Sequence, residues 1–241
     1  MKIINQLFIL LASIALASGI ATAGYFISQT IQRGHTGVNV AEVKGLSERK
    51  VKADFASWTI GFSLKLPSEY NIAEFYKEAE GQQEKIISFL VTQGFEKADL
   101  KAAGLHYSLN EYRNKNRELV SSTHNIRGEV IVRSKDVDRV DQAQNKISQL
   151  IADGIFVQNQ EPRYLFTSLN EIKPDMLKEA TENARVAAQE FANNAGVKVA
   201  HIKRAVQGGF FIKDYGEDYS DNTRIEKIVR VVTTITFYLS N

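Results

Sequence analysis

The sequence predicts an α+β fold: a mainly antiparallel sheet with about three helices packed on one face, preceded by an N-terminal transmembrane helix. Three observations lead there. Residues Ile3 to Gln32 carry no charge at all. Two later stretches, Asp54 to Leu66 and Ile228 to Leu239, alternate apolar and polar side chains with the period of a half-buried strand. Between such stretches lie three segments whose apolar residues recur every three or four positions, the period of a helix.

The leader comes first. Leu7 to Ile27 holds only apolar, small or aromatic side chains and three hydroxyls. About 20 such residues in a helix cross a hydrocarbon core roughly 30 Å thick. A cleaved signal would use Lys2 as its basic start and Ala21-Thr22-Ala23 as its cleavage site. The apolar run continues past that site through Gly24, Tyr25, Phe26 and Ile27, with both aromatic rings near the outer interface. An uncleaved signal-anchor over 1–32 and an exported domain over 33–241 are therefore expected. Cleavage after Ala23 would leave the same domain free in the exported compartment. Ala15, Gly19 and Ala23 repeat every four residues, as in helix-pairing motifs, but a segment this rich in small residues produces that spacing by chance.

The remaining elements follow in order. Val38, Val40 and Val43 open a strand-like stretch running through Lys44 to Arg49. From Asp54, residues Ala56, Trp58, Ile60, Phe62, Leu64 and Leu66 share one face, and Pro67-Ser68 ends the strand. Trp58 belongs to the core, since its neighbours two positions away are apolar too. A helix spans about Asn71 to Gln93, with Ile72, Phe75, Ala79, Ile86, Phe89 and Leu90 inward and Gly94 as its stop. Strands at about Ala102 to Tyr112 and Val120 to Arg133 flank a charged hairpin tip, Arg113 to Glu118. In the second of these Ile126, Gly128, Val130 and Val132 share a face.

Asp136 caps a helix from Val137 to Ala152, with Val140, Ile147, Leu150 and Ile151 as its stripe. Asp153-Gly154 ends it, and Ile155 to Ser168 reads as one strand. A third helix runs from about Pro174 to Asn194, proline being favoured in a first turn. Its expected buried stripe is Leu177, Ala180, Ala184, Ala187, Phe191 and Ala195. Strands Val197 to Ile212 and Ile228 to Leu239 close the chain around a polar loop, Lys213 to Arg224.

Composition limits the chemistry. The 241 residues are 44% hydrophobic and 24% charged, ordinary globular values that leave enough apolar material for a core. There is no cysteine, which excludes a thiol nucleophile, a thiolate metal site and disulfide support. Thirty basic and 28 acidic residues are mixed along the chain with no basic block, so nucleic acid is not an expected partner. No Gly-x-Ser-x-Gly elbow occurs. Gly208-Gly209 precedes neither a Lys-Ser/Thr pair nor a helix, so a strand irregularity is expected rather than a phosphate cradle.

Candidate metal ligands are few. His35, His106, His124 and His201 are isolated in sequence. His106 and His124 could oppose each other across the hairpin, but without a third ligand they do not make a zinc site. Asp214, Glu217, Asp218 and Asp221 could collect a hard cation such as calcium. Their spacing does not match the Asp-x-Asp-x-Asp-Gly loop, and a solvated acidic turn is the simpler expectation. No catalytic residue and no cofactor is assigned.

Val43-Lys44-Gly45-Leu46-Ser47-Glu48-Arg49 leading into Asp54 to Phe62, the Ala-rich helix Ala180 to Gly196 followed by Val199 to Gln207, and the closing strand Val229 to Leu239 together resemble the SIMPL-domain family. The resemblance covers nearly everything after residue 36. It implies an exported bacterial protein of unknown function, periplasmic or envelope-attached; with the leader read as an anchor, the domain is expected in the periplasm at the inner membrane. Some relatives are surface antigens, some are linked to oxidative-stress tolerance, and at least one type forms a large ring-like oligomer. The family brings no catalytic residues to carry over. The expected function is that of a non-enzymatic envelope module that self-associates or binds envelope proteins and meets the bilayer through its N-terminal helix. The alternatives are a ring or channel-like scaffold, or a metal-dependent enzyme whose site is assembled from distant residues. With no cysteine and only Met1 and Met176, any link to oxidative stress is indirect.

Overall fold

The computed structural model describes residues 14–28, 39–67, 71–217, 219 and 221–240. Residues 14–28 form a helix, α1, exposed along its whole length. The Ser18 hydroxyl donates to the Ala15 carbonyl at 2.9 Å and that of Thr22 to Ser18, so these hydroxyls are satisfied within the helix. Among the described residues no helix is long and apolar enough to cross a membrane. The rest of the expected 1–32 anchor lies outside the described residues.

Beyond α1 the chain forms two compact units. The larger comprises Leu46–Thr181 and Gln207–Val232; the smaller includes Glu182–Val206 and Thr233–Asn241. The larger unit is organised by β2 (Phe55–Pro67) and β5 (Leu119–Ser134), paired antiparallel with Trp58 opposite Val132, Ile60 opposite Val130 and Phe62 opposite Gly128. Ala56, Trp58, Ile60 and Phe62 are buried as the alternation predicts. They pack against α2 (Ile72–Thr92), whose Phe75, Ala79, Ile86 and Leu90 face inward, and against α3 (Val137–Asn145) through Val137, Val140 and Ala143. Burying the larger of these, such as Ile60, Phe62 and Leu90, contributes about 1.5–3 kcal/mol each.

The helix ends are set locally. Asn71 caps α2 by accepting from the Ala73 amide at 2.9 Å. Gly94 ends it with φ +90°, a left-handed conformation suited to glycine, and the Arg139 guanidinium donates to the Gly94 carbonyl at 2.7 Å. Asp136 caps α3 as expected, accepting from Arg139 N at 3.0 Å.

Several expected elements are divided. The helix predicted over Val137 to Ala152 splits into α3 and α4 (Ser148–Ala152). The amides of Lys146, Ile147, Gln149 and Leu150 each bond three residues back, which tightens the chain there. That change of phase buries Leu150 and leaves Ile151 exposed, against the predicted stripe. The strand predicted over Ile155 to Ser168 is two short ones, β6 (Val157–Asn159) and β7 (Arg163–Leu165), both on the second edge of β2. Pro162, with no N–H for the ladder, lies between them. Likewise Ala102 to Tyr112 divides into β3 (Leu100–Ala102) and β4 (His106–Arg113), both paired with β5.

The single sheet of the prediction is two sheets. One has six strands in the order β3-β5-β2-β6, with β4 on β5 and β7 on β2, every pairing antiparallel. The other has the order β1-β9-β8, from β1 (Val40–Lys52), β8 (Lys198–Asp214) and β9 (Glu226–Ser240). The strands divide because β2 and β9 bury their apolar faces in different clusters.

The partner of β9 is α5 (Leu169–Asn194). In the larger unit Met176 and Ala180 pack on Val229 and Val231; in the smaller, Ala184 and Ala188 pack on Ile235 and Phe237. The buried row is thus Met176, Ala180, Ala184, Ala188 and Ala192, not the predicted one. Phe191 is 55% exposed and Ala195 is also exposed. Alanines at strict four-residue spacing form a low ridge that lets a helix backbone approach closely, which a phenylalanine on that row would prevent. The helix also starts at Leu169 rather than Pro174, so the proline lies in its second turn. The Asp54 carboxylate orders this entry by accepting from Thr167 N (2.7 Å), Thr167 Oγ1 (2.9 Å) and Ser168 N (2.8 Å). Partial burial works upward on Asp54, but these bonds outweigh it and hold its carboxyl below the ordinary value of 3.8.

Two outcomes follow for stability. A Cβ on Gly128 would stand 2.4 Å from the Phe62 ring, so Gly128→Ala should cost about 1–3 kcal/mol in urea unfolding by overpacking. Asp54→Ala should cost about 1 kcal/mol. Because the folded form lowers the Asp54 pKa, its contribution is present above 3.8 and fades as pH falls below it. The wild-type advantage over Asp54→Ala should therefore shrink in acid, and an advantage that is constant with pH would contradict this role.

Candidate functional site

The densest group of polar side chains lies in the larger unit, where β8 turns into β9. Tyr215 N donates to the Glu226 carbonyl at 2.9 Å, closing the end of the ladder, and Gly216 (φ +81°) reverses the chain. Just inside that closure, Asp214 and Lys227 form an ion pair with both side chains fully buried. Asp214 Oδ2 also accepts from the Thr223 amide at 3.0 Å. Asp221 accepts from that amide at 3.3 Å and from Thr223 Oγ1 at 3.0 Å. Hydrogen bonding to the Asp214 carboxyl, then to Thr223, holds Asp221 below the usual carboxylate range. Glu217 pairs with Arg224.

The turn lies at the surface as expected, with Asp221 exposed and Glu217 partly so, but Asp214 is not part of it. Asp214 belongs to the strand and is buried, because a lysine on the neighbouring strand compensates its charge. Glu217 and Asp221 are engaged with Arg224 and Thr223, and Asp218 lies outside the described residues. Among the described residues no three His, Asp or Glu side chains are grouped to hold a metal ion.

Two open clefts adjoin the turn and share Ile225 and Glu226. One, about 490 Å³, is lined by Lys50, Val51, Lys52 and Asp138. In it Lys50 pairs with Glu226 at 2.7 Å and stands 4.2 Å over the Tyr215 ring, and Lys52 pairs with Asp138. The bond to Glu226 raises the Lys50 pKa. The other, about 320 Å³, is lined by Asp141, Tyr164, Tyr215, Thr223 and Arg224. Burial and the Asp141 carboxylate push the Tyr164 phenol up, so it stays a neutral donor, directed at Asp141 Oδ1 3.5 Å away. These groups can hold polar atoms of a ligand. They do not form a nucleophile and base pair of the kind covalent catalysis uses.

The histidines are not brought together. In the β4–β5 register His106 lies opposite Arg127 and His124 opposite Leu109, so the two imidazoles that could have faced each other do not. His124 Nδ1 is 3.0 Å from the Tyr107 hydroxyl, and His106 lines a shallow cleft with Arg127 and Glu129. His201 packs its ring on Tyr238 in the smaller unit, and His35 lies outside the described residues.

Ser47 and Glu48, near the start of the larger unit, are tied within it. Buried Ser47 donates to Glu179 on α5 at 2.9 Å, and Glu48 pairs with Arg230 on β9 at 3.5 Å. Gly208 is a close backbone approach: a Cβ there would stand 2.5 Å from the Val232 carbonyl oxygen. Strand β8 runs unbroken through Gly208 and Gly209, and no helix begins there to form an anion cradle.

A different feature is exposed. Strand β4 pairs only with β5 among the described residues, which makes it a sheet edge. Leu109 and Tyr112 on β4, with Leu119 and Val120 on β5, are 46–66% exposed on this hairpin. Sequence reasoning missed the buried lysine, yet a signal existed. Lys227 is in phase with Val229 and Val231, so the alternation already turned it inward.

A comparison with family models matches residues 41–231 to SIMPL, described as a protein of unknown function (DUF541). No curated protein matches the chain.

The buried pair gives a sharp expectation. Lys227→Met leaves the Asp214 charge buried and uncompensated and should cost about 3–5 kcal/mol in denaturant unfolding. Adding Asp214→Leu should restore much of that loss. A single variant as stable as wild type would show that the two side chains do not form a buried pair.

Proposed function

The chain belongs to the SIMPL family, and on that basis we propose that it is an envelope module that acts by binding protein, including further copies of itself, rather than by catalysis. The observation that carries this reading is the β4–β5 hairpin. An edge strand offers unpaired backbone donors and acceptors to an incoming strand. On this edge Leu109, Tyr112, Leu119 and Val120 add apolar surface, with tyrosine a residue type enriched at binding hot spots. In the first cleft Lys50 pairs with Glu226 and Lys52 with Asp138, so those charges are already engaged.

The module is tethered to the inner membrane by its uncharged N-terminal segment and faces the periplasm. The length of the uncharged stretch, Ile3 to Gln32, supports an anchor, and Lys2 marks the inner side. Any part in oxidative-stress tolerance is indirect.

Light scattering of the full chain in detergent should give a protein mass well above the 27.0 kDa of one copy. The double variant Leu109→Asp/Tyr112→Asp should move that mass toward one copy while keeping its circular dichroism. A wild-type monomer that captures no partner on crosslinking in the envelope would sink the binding role. A reporter fused after Asn241 and active only in the cytoplasm would overturn the compartment. Stoichiometric metal in the purified protein would instead favour the metal-dependent alternative.

A further inference from the structure

We propose that Lys227 and Asp214 condense in the folded chain to an intramolecular isopeptide bond joining β9 to β8. Both side chains are fully buried and already in contact, so amine and carboxyl carbon are held together away from bulk water. Fixed positioning of two reacting groups corresponds to effective molarities on the order of 10⁵ M or more. In water an ammonium and a carboxylate stay apart as hydrated ions. Burial removes that hydration, and a neutral amide leaves no charge in the interior.

The surrounding groups supply what the condensation needs. The Thr223 amide, 3.0 Å from Asp214 Oδ2, stands where an oxyanion donor would support tetrahedral addition at Cγ. Asp221 shares the Thr223 amide with Asp214, accepting from it at 3.3 Å and from the Thr223 hydroxyl at 3.0 Å, which places a second carboxylate beside the pair to carry a proton. In the step Lys227 Nζ bonds to Asp214 Cγ, and the bond from Cγ to Oδ1 breaks. The ammonium gives up two protons and the departing oxygen takes both, leaving as water. Asp221 transfers one of them and ends as it began. No oxidant or co-reactant is required. The chain has no cysteine, so this link would be a covalent staple independent of disulfide chemistry.

The test is peptide mass spectrometry of the full chain, digested with trypsin after denaturation. The expected product is peptide 214–224 joined to peptide 225–230 through an uncleaved Lys227, lighter than their sum by one water. Lys227→Arg and Asp214→Ala should each abolish it. Asp221→Ala, which leaves the reacting pair in place, should slow its appearance about a hundredfold. If wild-type protein that is folded by circular dichroism yields only free 214–224 and 225–227, the pair is an ordinary salt bridge and the proposal fails. It also fails if the lost water resides within 214–224 and persists in Lys227→Arg, the mark of a cyclic imide. An unchanged rate in Asp221→Ala would remove Asp221 from the reaction.

Discussion

Strand β2 is bonded along both edges, to β5 on one side and to β6 and β7 on the other, and one of its faces is closed over by helices. A strand in that position has no freedom of register, because a slip of one residue would send Trp58, Ile60 and Phe62 to the wrong face. Gly128 shows how tightly the constraint acts, since the Phe62 ring occupies the space where a side chain would stand. The inward faces of α2 and α3 are consequences of this strand. Their caps are local, but their apolar stripes make sense only against it.

The charged residues divide by burial. Pairs such as Lys50–Glu226 and Glu48–Arg230 are at least 40% exposed and so contribute little to stability. Asp214 and Lys227 are different, because removing two ions from water costs several kcal/mol before their attraction offsets it. A buried pair at the closing turn of a hairpin therefore calls for a role beyond stability. Register of the turn is one such role, and covalent linkage is the stronger one. Either makes the β8–β9 end a fixed feature of the larger unit, while the exposed β4 edge remains the place where another chain can add.

Legibility followed the range of the interactions involved. Asp136 was readable as a cap because capping depends on three or four consecutive residues. The faces of β2, β5 and β9 were readable because alternation is a local pattern. The divisions at Pro162, at Lys146 and between β3 and β4 were not, since each strand or helix there ends on how its neighbour pairs. On α5 both candidate stripes are apolar, and only the sheet beneath selected the all-alanine row over the one with Phe191. The histidine pair failed for a related reason, as facing across a hairpin depends on register set elsewhere on β5.

The amino-acid order by itself determined the α+β class, the family, the uncharged leader, the absence of thiol chemistry and the inward faces of the long strands. These depend on composition and on periods of two or about 3.6 residues, which any short window displays. Only the tertiary structure decided that there are two sheets, that Asp54 orders the start of α5 more than 110 residues away, and that Asp214 finds Lys227 inside rather than water outside. Burial of a charge and choice of a partner are properties of space, and a linear pattern carries them only as a phase, such as that of Lys227 with Val229 and Val231.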